Sequence, residues 1–382
     1  MPIKKITLLG LYNETNLGDL VIADCTEYLY KQLLDNVQIQ KVNLAPKIQI
    51  FFFERVFLKL QLFPKECFII TKNKYRQYYE KNIDKISQLI VVVGGGILKF
   101  KYQNFAQQLV ALVECAETFN IPVVMNSVGV EGFDKKHTGE CIWLNKIINK
   151  AINKTINKAI TTRDDIELLE NKWLKNNSTI YRKLVADPAV WVSDVYKIEK
   201  NVNSQIIGIG LIRGKIFKAN EIEYSEEELI RLYTNIIREL EHKKLSYKLF
   251  INGLDLDYDF AVKVCQYIQK EDLIKEILVP KSAKELVNII SGFKGVIAAR
   301  LHACIISYSL KIPVIGLVWN DKLSFFGRQI GYPERFIETN DFDAKLIVDR
   351  MENALQEGYN QKEMQKYKAT IKESIKELLQ LI

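Results

Sequence analysis

Three side chains in the latter half of the chain have the types and positions to handle a small anion. Arg300 and His302 stand one residue apart, between a short apolar run that begins at Gly295 and a second that runs from Ile312 to Leu317. That order reads as strand, turn, helix, strand. It places the pair at a strand's C-terminal end and a helix's start, where open α/β sheets bind ligands and where helix N-termini favour negative charge. Arg213 closes another apolar run, Ile206 to Ile212, and so stands at a comparable strand end. Two guanidiniums grip phosphate or carboxylate, and an imidazole with an ordinary pKa of about 6.5 moves protons near neutrality. A small phosphorylated or carboxylated substrate is the expectation.

Two further motifs follow apolar runs in the first half. Asn16-Leu-Gly18-Asp19 opens a helical pattern after the first strand. Asp19 suits an N-cap or first-turn position, and Asn16 and Gly18 let the backbone pass close to a ligand. Gly94-Gly95-Gly96 comes after the strand from Leu89 to Val93 and reads as a tight turn open to a ligand. It fits neither the Rossmann fingerprint nor the phosphate loop of nucleotide-triphosphate enzymes. Asp255-Leu-Asp257-Tyr-Asp259 imitates an acidic metal loop, but Phe260 and Gln266 stand where a calcium-binding loop needs Gly and Glu. It reads as a polar loop before a helix, and no metal is expected. Cys304, two residues past His302, reads as a core position.

The elements that must hold these residues alternate along the chain. Ile6 to Gly10, Leu89 to Val93 and Ile121 to Met125 read as buried strands. Gly18 to Leu34 and Phe105 to Phe119 read as helices. The pattern restarts near Gln205 with strands at Ile206, Tyr247, Gly295 and Val314, which argues for parallel sheets with crossover helices. The expected fold is therefore α/β, two doubly wound Rossmann-like domains facing across a cleft. The expected boundaries are 1–198, 199–345 and a C-terminal helical segment, 346–382, with the linker in the polar interval 194–204. From Asn145 the motif Asn-Lys-x-Ile recurs every four residues. Drawn as one helix, Lys146, Lys150, Lys154 and Lys158 form a basic stripe, and Ile148, Ile152, Ile156 and Ile160 an apolar one. A solvated face is the plainer reading of that stripe and a contact with anionic lipid the sharper. The segment 48–63 is apolar and aromatic with a basic flank, and reads as an interior helix or as an interfacial one.

Composition narrows the setting. At 382 residues, two domains are the natural prior. The net charge of +8 fits an anionic substrate or membrane surface, and no nucleic-acid motif is recognisable. Six cysteines without a C-x-x-C pair read as free thiols of a reducing compartment. Neither a signal peptide nor a spanning segment stands out, so a cytoplasmic protein, peripheral at the inner face of the plasma membrane, is expected.

Taken in order, Asn16 to Asp19, Gly94 to Gly96, Thr162-Arg163-Asp164, Asp187 to Trp191, Gly210 to Arg213, Arg300 to His302 and Pro313 to Lys322 resemble the polysaccharide pyruvyltransferase family. The resemblance implies a fold of the glycosyltransferase-B (GT-B) type. It also implies transfer of the pyruvyl group of phosphoenolpyruvate onto a sugar of a cell-surface or capsular polysaccharide, or onto its lipid-linked precursor, as a ketal, with no cofactor besides that co-substrate. By the same resemblance Arg213, Arg300 and His302 match phosphoenolpyruvate-binding and catalytic positions, and Lys322 a further recurrent one. Asn16, Gly18, Asp19 and Gly94 to Gly96 fall on the expected acceptor side, and Asp19 and Asp187 are candidates for the acid that protonates carbon. Two other readings share the architecture: a glycosyltransferase with a nucleotide-sugar donor, and a non-catalytic membrane-associated binding protein of the same pathway.

Overall fold

The computed structural model of the chain describes residues 3–12, 16–49, 64–99, 105–131, 139–175, 177–220 and 222–382. These residues form two compact units. One comprises residues 1–14, 22–186 and 370–382, and the other 15–21 and 187–369. The division falls at Ala186, ahead of the polar interval 194–204, and it assigns the Asn16–Asp19 motif to the second unit.

The first unit is built on a six-stranded parallel sheet in the order β2-β1-β3-β4-β5-β6. Its strands are β1 (Lys5–Gly10), β2 (Gln38–Asn43), β3 (Leu89–Leu98), β4 (Val123–Val130), β5 (Asn157–Thr162) and β6 (Tyr181–Leu184). The longer helices between them are α1 (Leu17–Leu33), α2 (Pro64–Asn82), α3 (Ala106–Phe119) and α4 (Gly139–Ile152). Central strands such as β4 are buried along their whole length, as expected of a parallel sheet covered on both faces. Ile90, Val92, Leu112, Met125 and Trp173 are among the side chains that fill its core.

Two expectations are corrected here. Gly94 to Gly96 is no turn: β3 continues through it, with Gly95 opposite Val128 and Gly96 opposite Gly129. The reason is a distortion next door on β4. Ser127 takes a left-handed φ of 54°, its carbonyl oxygen stands 2.7 Å from where a Cβ on Gly94 would be, and Gly95 itself has φ 135°. Only residues without a side chain keep the strand paired past that point. The Asn-Lys-x-Ile repeat is likewise not one helix. Helix α4 ends at Ile152 and β5 begins at Asn157, because the sheet requires a strand between β4 and β6. The amide of Asn157 donates to the carbonyls of Ala151 and Ile152 and so caps the helix it follows. Ile148, Ile152 and Ile160 still reach the core, from a helix and a strand rather than from one stripe. The lysine stripe dissolves: Lys154 pairs with Glu117 and Lys158 bonds the carbonyl of Thr155. Most of the apolar segment 48–63 lies outside the described residues.

The second unit carries a five-stranded parallel sheet in the order β11-β10-β9-β7-β8. Its strands are β7 (Ile207–Gly210), β8 (Tyr247–Phe250), β9 (Gly295–Ala298), β10 (Val314–Leu317) and β11 (Phe336–Ile337). The principal helices are α5 (Glu226–His242), α6 (Asp255–Tyr267), α7 (Ala283–Ser291), α8 (Leu301–Ser309), α9 (Asp321–Gln329) and α10 (Ala344–Glu357). Ser225 opens α5 with a reciprocal capping box to Glu228. The long C-terminal helix α11 (Gln361–Leu379) follows α10, so the helical segment foreseen at the C-terminus is two helices. Counted within its own unit, this sheet has the order 2-1-3-4-5. The chain winds one way from β7 and the other way from β9, and the switch point between those strands is where such a fold leaves a crevice for a ligand.

Candidate active site

The switch point of the second sheet explains why two arginines far apart in sequence meet. Arg213 comes after β7 and Arg300 after β9, and these strands are hydrogen-bonded neighbours. Their common partner is Asp257, in the first turn of α6 and fully buried. Arg300 donates to its carboxylate from Nε at 2.9 Å and from Nη2 at 2.6 and 2.8 Å. The backbone N–H of Arg213 donates to Asp257 Oδ1 at 3.2 Å, and Arg213 Nη1 stands 3.8 Å from the same oxygen. The start of α6 is a favourable place for a carboxylate. Burial holds the Arg300 pKa below the usual guanidinium value, and Asp257 opposes that shift. The group stays cationic at neutral pH. Tyr233 is pushed up by burial and next by the Asp257 charge, so its hydroxyl, which donates to the carbonyl of Gly210, is neutral.

The arginines therefore differ in what they can offer. Arg300 spends the Nε edge of its fork on Asp257, and its Nη1 makes no hydrogen bond among the described residues. The Arg213 side chain is 28% exposed against 11% for Arg300. Arg213 thus presents more of its guanidinium to solvent than Arg300, whose Nε edge is turned to Asp257. The expected polar loop before a helix is corrected here: Asp257 lies in the helix itself, buried in its first turn. Its signal was present: an arginine buried at a strand end requires a counter-ion.

Arg300 is also the N-cap residue of α8, with extended backbone, and His302 lies in that helix's first turn, 8% exposed. The His302 ring packs onto Gly18: a Cβ there would stand 2.1 Å from its Nδ1. The backbone N–H of Leu17 donates at 3.3 Å to the carbonyl of Asn252, just past β8, which ties the Asn16 turn to this sheet. Asp19 sits in the first turn of α1 and accepts from the amide of Asn16 at 3.0 Å. Thus Asn16, Gly18 and Asp19 group with His302 in the second unit, whereas Gly94, Gly95 and Gly96 belong to the first. Asn252 is 1% exposed, and among the described residues neither its Oδ1 nor its Nδ2 has a hydrogen-bond partner. Such a buried amide, two residues past β8, drew no notice in the sequence.

The remaining motif residues are placed as follows. Trp319 donates from Nε1 to the carbonyl of Ala299 at 2.6 Å and so fixes the backbone next to Arg300. Lys322 lies in the first turn of α9 and is half-buried. Asp187 is buried and caps the short turn Pro188–Trp191 by accepting from the N–H of Ala189 at 2.8 Å. Asp164 accepts from the N–H of Val130 at 3.1 Å, beside buried Arg163, at the end of the first sheet. Cys304 is buried with its thiol pushed up by desolvation, as a core position requires. Among the described residues no group of three or more His, Cys, Asp or Glu could hold a metal ion. A shallow cavity of about 320 Å³ in the first unit, bordered by Lys146, Asn149 and Lys172, contains none of these residues.

Comparison with known proteins agrees with this architecture. No curated protein matches the chain by sequence. Among solved structures, a UDP-GlcNAc 2-epimerase from Methanocaldococcus jannaschii is similar with a TM-score of 0.59 at 13% identity, over 98% of this chain and 99% of that one. A UDP-GlcNAc 2-epimerase from Neisseria meningitidis, bound to UDP-GlcNAc, gives 0.58 at 13% identity over 99% and 100%. A glycosyltransferase from Rickettsia africae gives 0.50 at 10% over 100% and 96%. These likenesses show the fold: two Rossmann-like units of the GT-B type. The family model described as polysaccharide pyruvyl transferase matches residues 16–321, from the turn that carries Gly18 to the helix that carries Lys322. The chain belongs to the polysaccharide pyruvyl transferase family and is a transferase.

Proposed function

We propose that this protein transfers the pyruvyl group of phosphoenolpyruvate to two hydroxyls of one sugar in a polysaccharide or its lipid-linked precursor, and releases phosphate. The observation that carries the reading is the pair of arginines at the switch point, held by one buried carboxylate, with His302 in the first turn of the helix that Arg300 caps. Arg213 and the free end of Arg300 suit the phosphate and carboxylate of a small polyanion, with Lys322 a further contact.

The chemistry balances without redox change. A proton adds to the methylene carbon of phosphoenolpyruvate, which makes it a methyl group and leaves an oxocarbenium-like centre. One sugar hydroxyl bonds to that centre and gives up its proton. The C–O bond to phosphate then breaks, the second hydroxyl bonds in its place, and its proton leaves with hydrogen phosphate. His302 is the group suited to take a hydroxyl proton or to assist the leaving phosphate. Asp19, close to it in the fold, is the candidate for proton delivery to carbon; Asp187, spent on its cap, is the poorer one. Asn16, beside Asp19, suits the acceptor. The basic net charge suits an anionic, lipid-linked acceptor at the cytoplasmic face of a membrane. No helix among the described residues is long and apolar enough to cross one.

The test is phosphate release from phosphoenolpyruvate, dependent on a sugar acceptor, by the purified protein. Substitution of His302 by alanine should reduce turnover by about 100-fold or more with the fold retained. The similar structures that act on UDP-GlcNAc favour a second reading, a nucleotide-sugar donor. Consumption of a UDP-sugar without phosphate release from phosphoenolpyruvate would establish it in place of the first.

A further inference from the structure

We propose that Asp257 is a positioning residue: it commits one edge of Arg300 and the backbone of Arg213, so that a phosphorylated substrate is held by the opposite faces of the two guanidiniums in one orientation. The proposal rests on the phosphoenolpyruvate reading for its substrate and on geometry for the rest.

A single carboxylate with no exposure does three things at once. It accepts three close contacts from Arg300, it accepts the Arg213 main-chain N–H, and it lies within ion-pair distance of the Arg213 side chain. A buried ion pair contributes little net stability compared with an apolar pair of the same volume, so its use lies in what it orients. Here it orients the end groups of the two strands that flank the switch point. It also sets charge. Two guanidiniums and one carboxylate leave a single net positive charge, strong enough to attract an anion and weak enough to let phosphate depart. Arg300 cannot turn its whole fork toward a ligand while Asp257 occupies the Nε edge. Trp319, bonded to the carbonyl of Ala299, fixes the backbone from the other side, so neither end of Arg300 is free to adjust.

Loss of this carboxylate has a signature that loss of a purely structural residue does not share. With Asp257→Asn the cluster gains a net positive charge and Arg300 becomes able to swing its fork onto the anion. Inorganic phosphate, titrated by calorimetry, should bind as tightly as in wild type or several-fold more tightly. Turnover should fall by about 100-fold, the cost of a misplacement near 1 Å. A purely structural role predicts the reverse pairing: phosphate affinity weakens, and turnover falls only in proportion to the unfolded fraction measured by circular dichroism. Weaker phosphate binding, or unchanged turnover, overturns the proposal. If Asp257→Asn does not fold, Asp257→Glu, which keeps the charge but advances the carboxylate by one methylene, should hold phosphate within about twofold of wild type and lose turnover to the same extent. Wild-type turnover or binding weakened beyond that range in this variant overturns the proposal equally. Should the wild-type protein release no phosphate from phosphoenolpyruvate, the functional reading fails, and the phosphate titration alone decides the role of Asp257.

Discussion

Replacement of Gly18 by alanine tests whether the Asn16–Asp19 turn serves His302. The new methyl carbon would stand 2.1 Å from Nδ1, 2.4 Å from Cγ and 2.7 Å from Cβ of that residue. Unbonded heavy atoms sit best at about 3.5–4.0 Å, so the imidazole must retreat by about 1.4 Å. Gly18 has no left-handed φ and lies inside α1, so the backbone accepts alanine without strain. Helix propensity favours the change by up to about 1 kcal/mol, and overpacking opposes it by about 1–3 kcal/mol. The net effect is destabilising by about 1–3 kcal/mol, because His302 Cβ, 2.7 Å away, moves only with its helix. The effect on catalysis is not small, since a shift near 1 Å in a proton-transfer group costs about 100-fold. Phosphate release under saturating phosphoenolpyruvate, read beside a thermal melt, separates the two effects. In a His302→Ala background the same substitution should cost less than about tenfold more, because the displaced group is already gone. A Gly18→Ala protein that turns over at the wild-type rate would refute both the packing argument and the catalytic place of His302.

Three further outcomes follow from other parts of the molecule. Arg300→Lys keeps the charge but cannot reproduce the three contacts to Asp257, so turnover should fall by about 100-fold or more and the melting temperature should drop; an active, equally stable variant would deny the fork its role. Gly95→Ala forces a side chain onto φ 135° in the middle of β3 and should cost about 1–3 kcal/mol in denaturant unfolding, whereas an unchanged midpoint would mean that the glycine run is kept for a ligand alone. Hydrogen bonds from Lys183 to Glu377, from Lys243 to Asp349 and from Lys5 to Asp84 hold these carboxyls below their ordinary pKa. The stability they contribute is present above the unfolded pKa of about 4 and is lost as pH falls through the lower folded values. Melts at pH 7 should match those at pH 5, a decline should set in below about pH 4, and added salt should shrink it; a melting temperature level down to pH 3 would exclude these pairs.

How much of this was legible in the sequence depends on how local the deciding force is. Buried parallel strands advertise themselves by continuous apolar runs, and α3 and β10 fall where those runs and their breaks predict. The Asn-Lys-x-Ile repeat misleads because identical four-residue units carry no information about where a sheet needs its next strand. Its helix stops where Asn157 can cap it and where β4 offers a free edge. Gly94 to Gly96 looks like a turn for a related reason: what requires glycine is the Ser127 carbonyl on another strand at Gly94 and a positive φ at Gly95. The places of Arg213, Arg300 and His302, after β7 and β9, were readable because the apolar runs before them mark those strands. Asp257 was not, since Asp255-Leu-Asp257-Tyr-Asp259 has the composition of a solvated loop and the partner that buries it lies far along the chain. The doubly wound order nevertheless compels the meeting. Once β7 and β9 are neighbours, the residues that leave their ends share one crevice edge, and two guanidiniums brought together there repel unless a third element brings an anion. Helix α6, which follows the adjoining strand β8, starts at that edge, and its first turn is where a carboxylate is best tolerated. Arginines after the first and third strands of such a sheet therefore imply an acid at the start of the helix after the second, because strand order alone brings those three positions to one place.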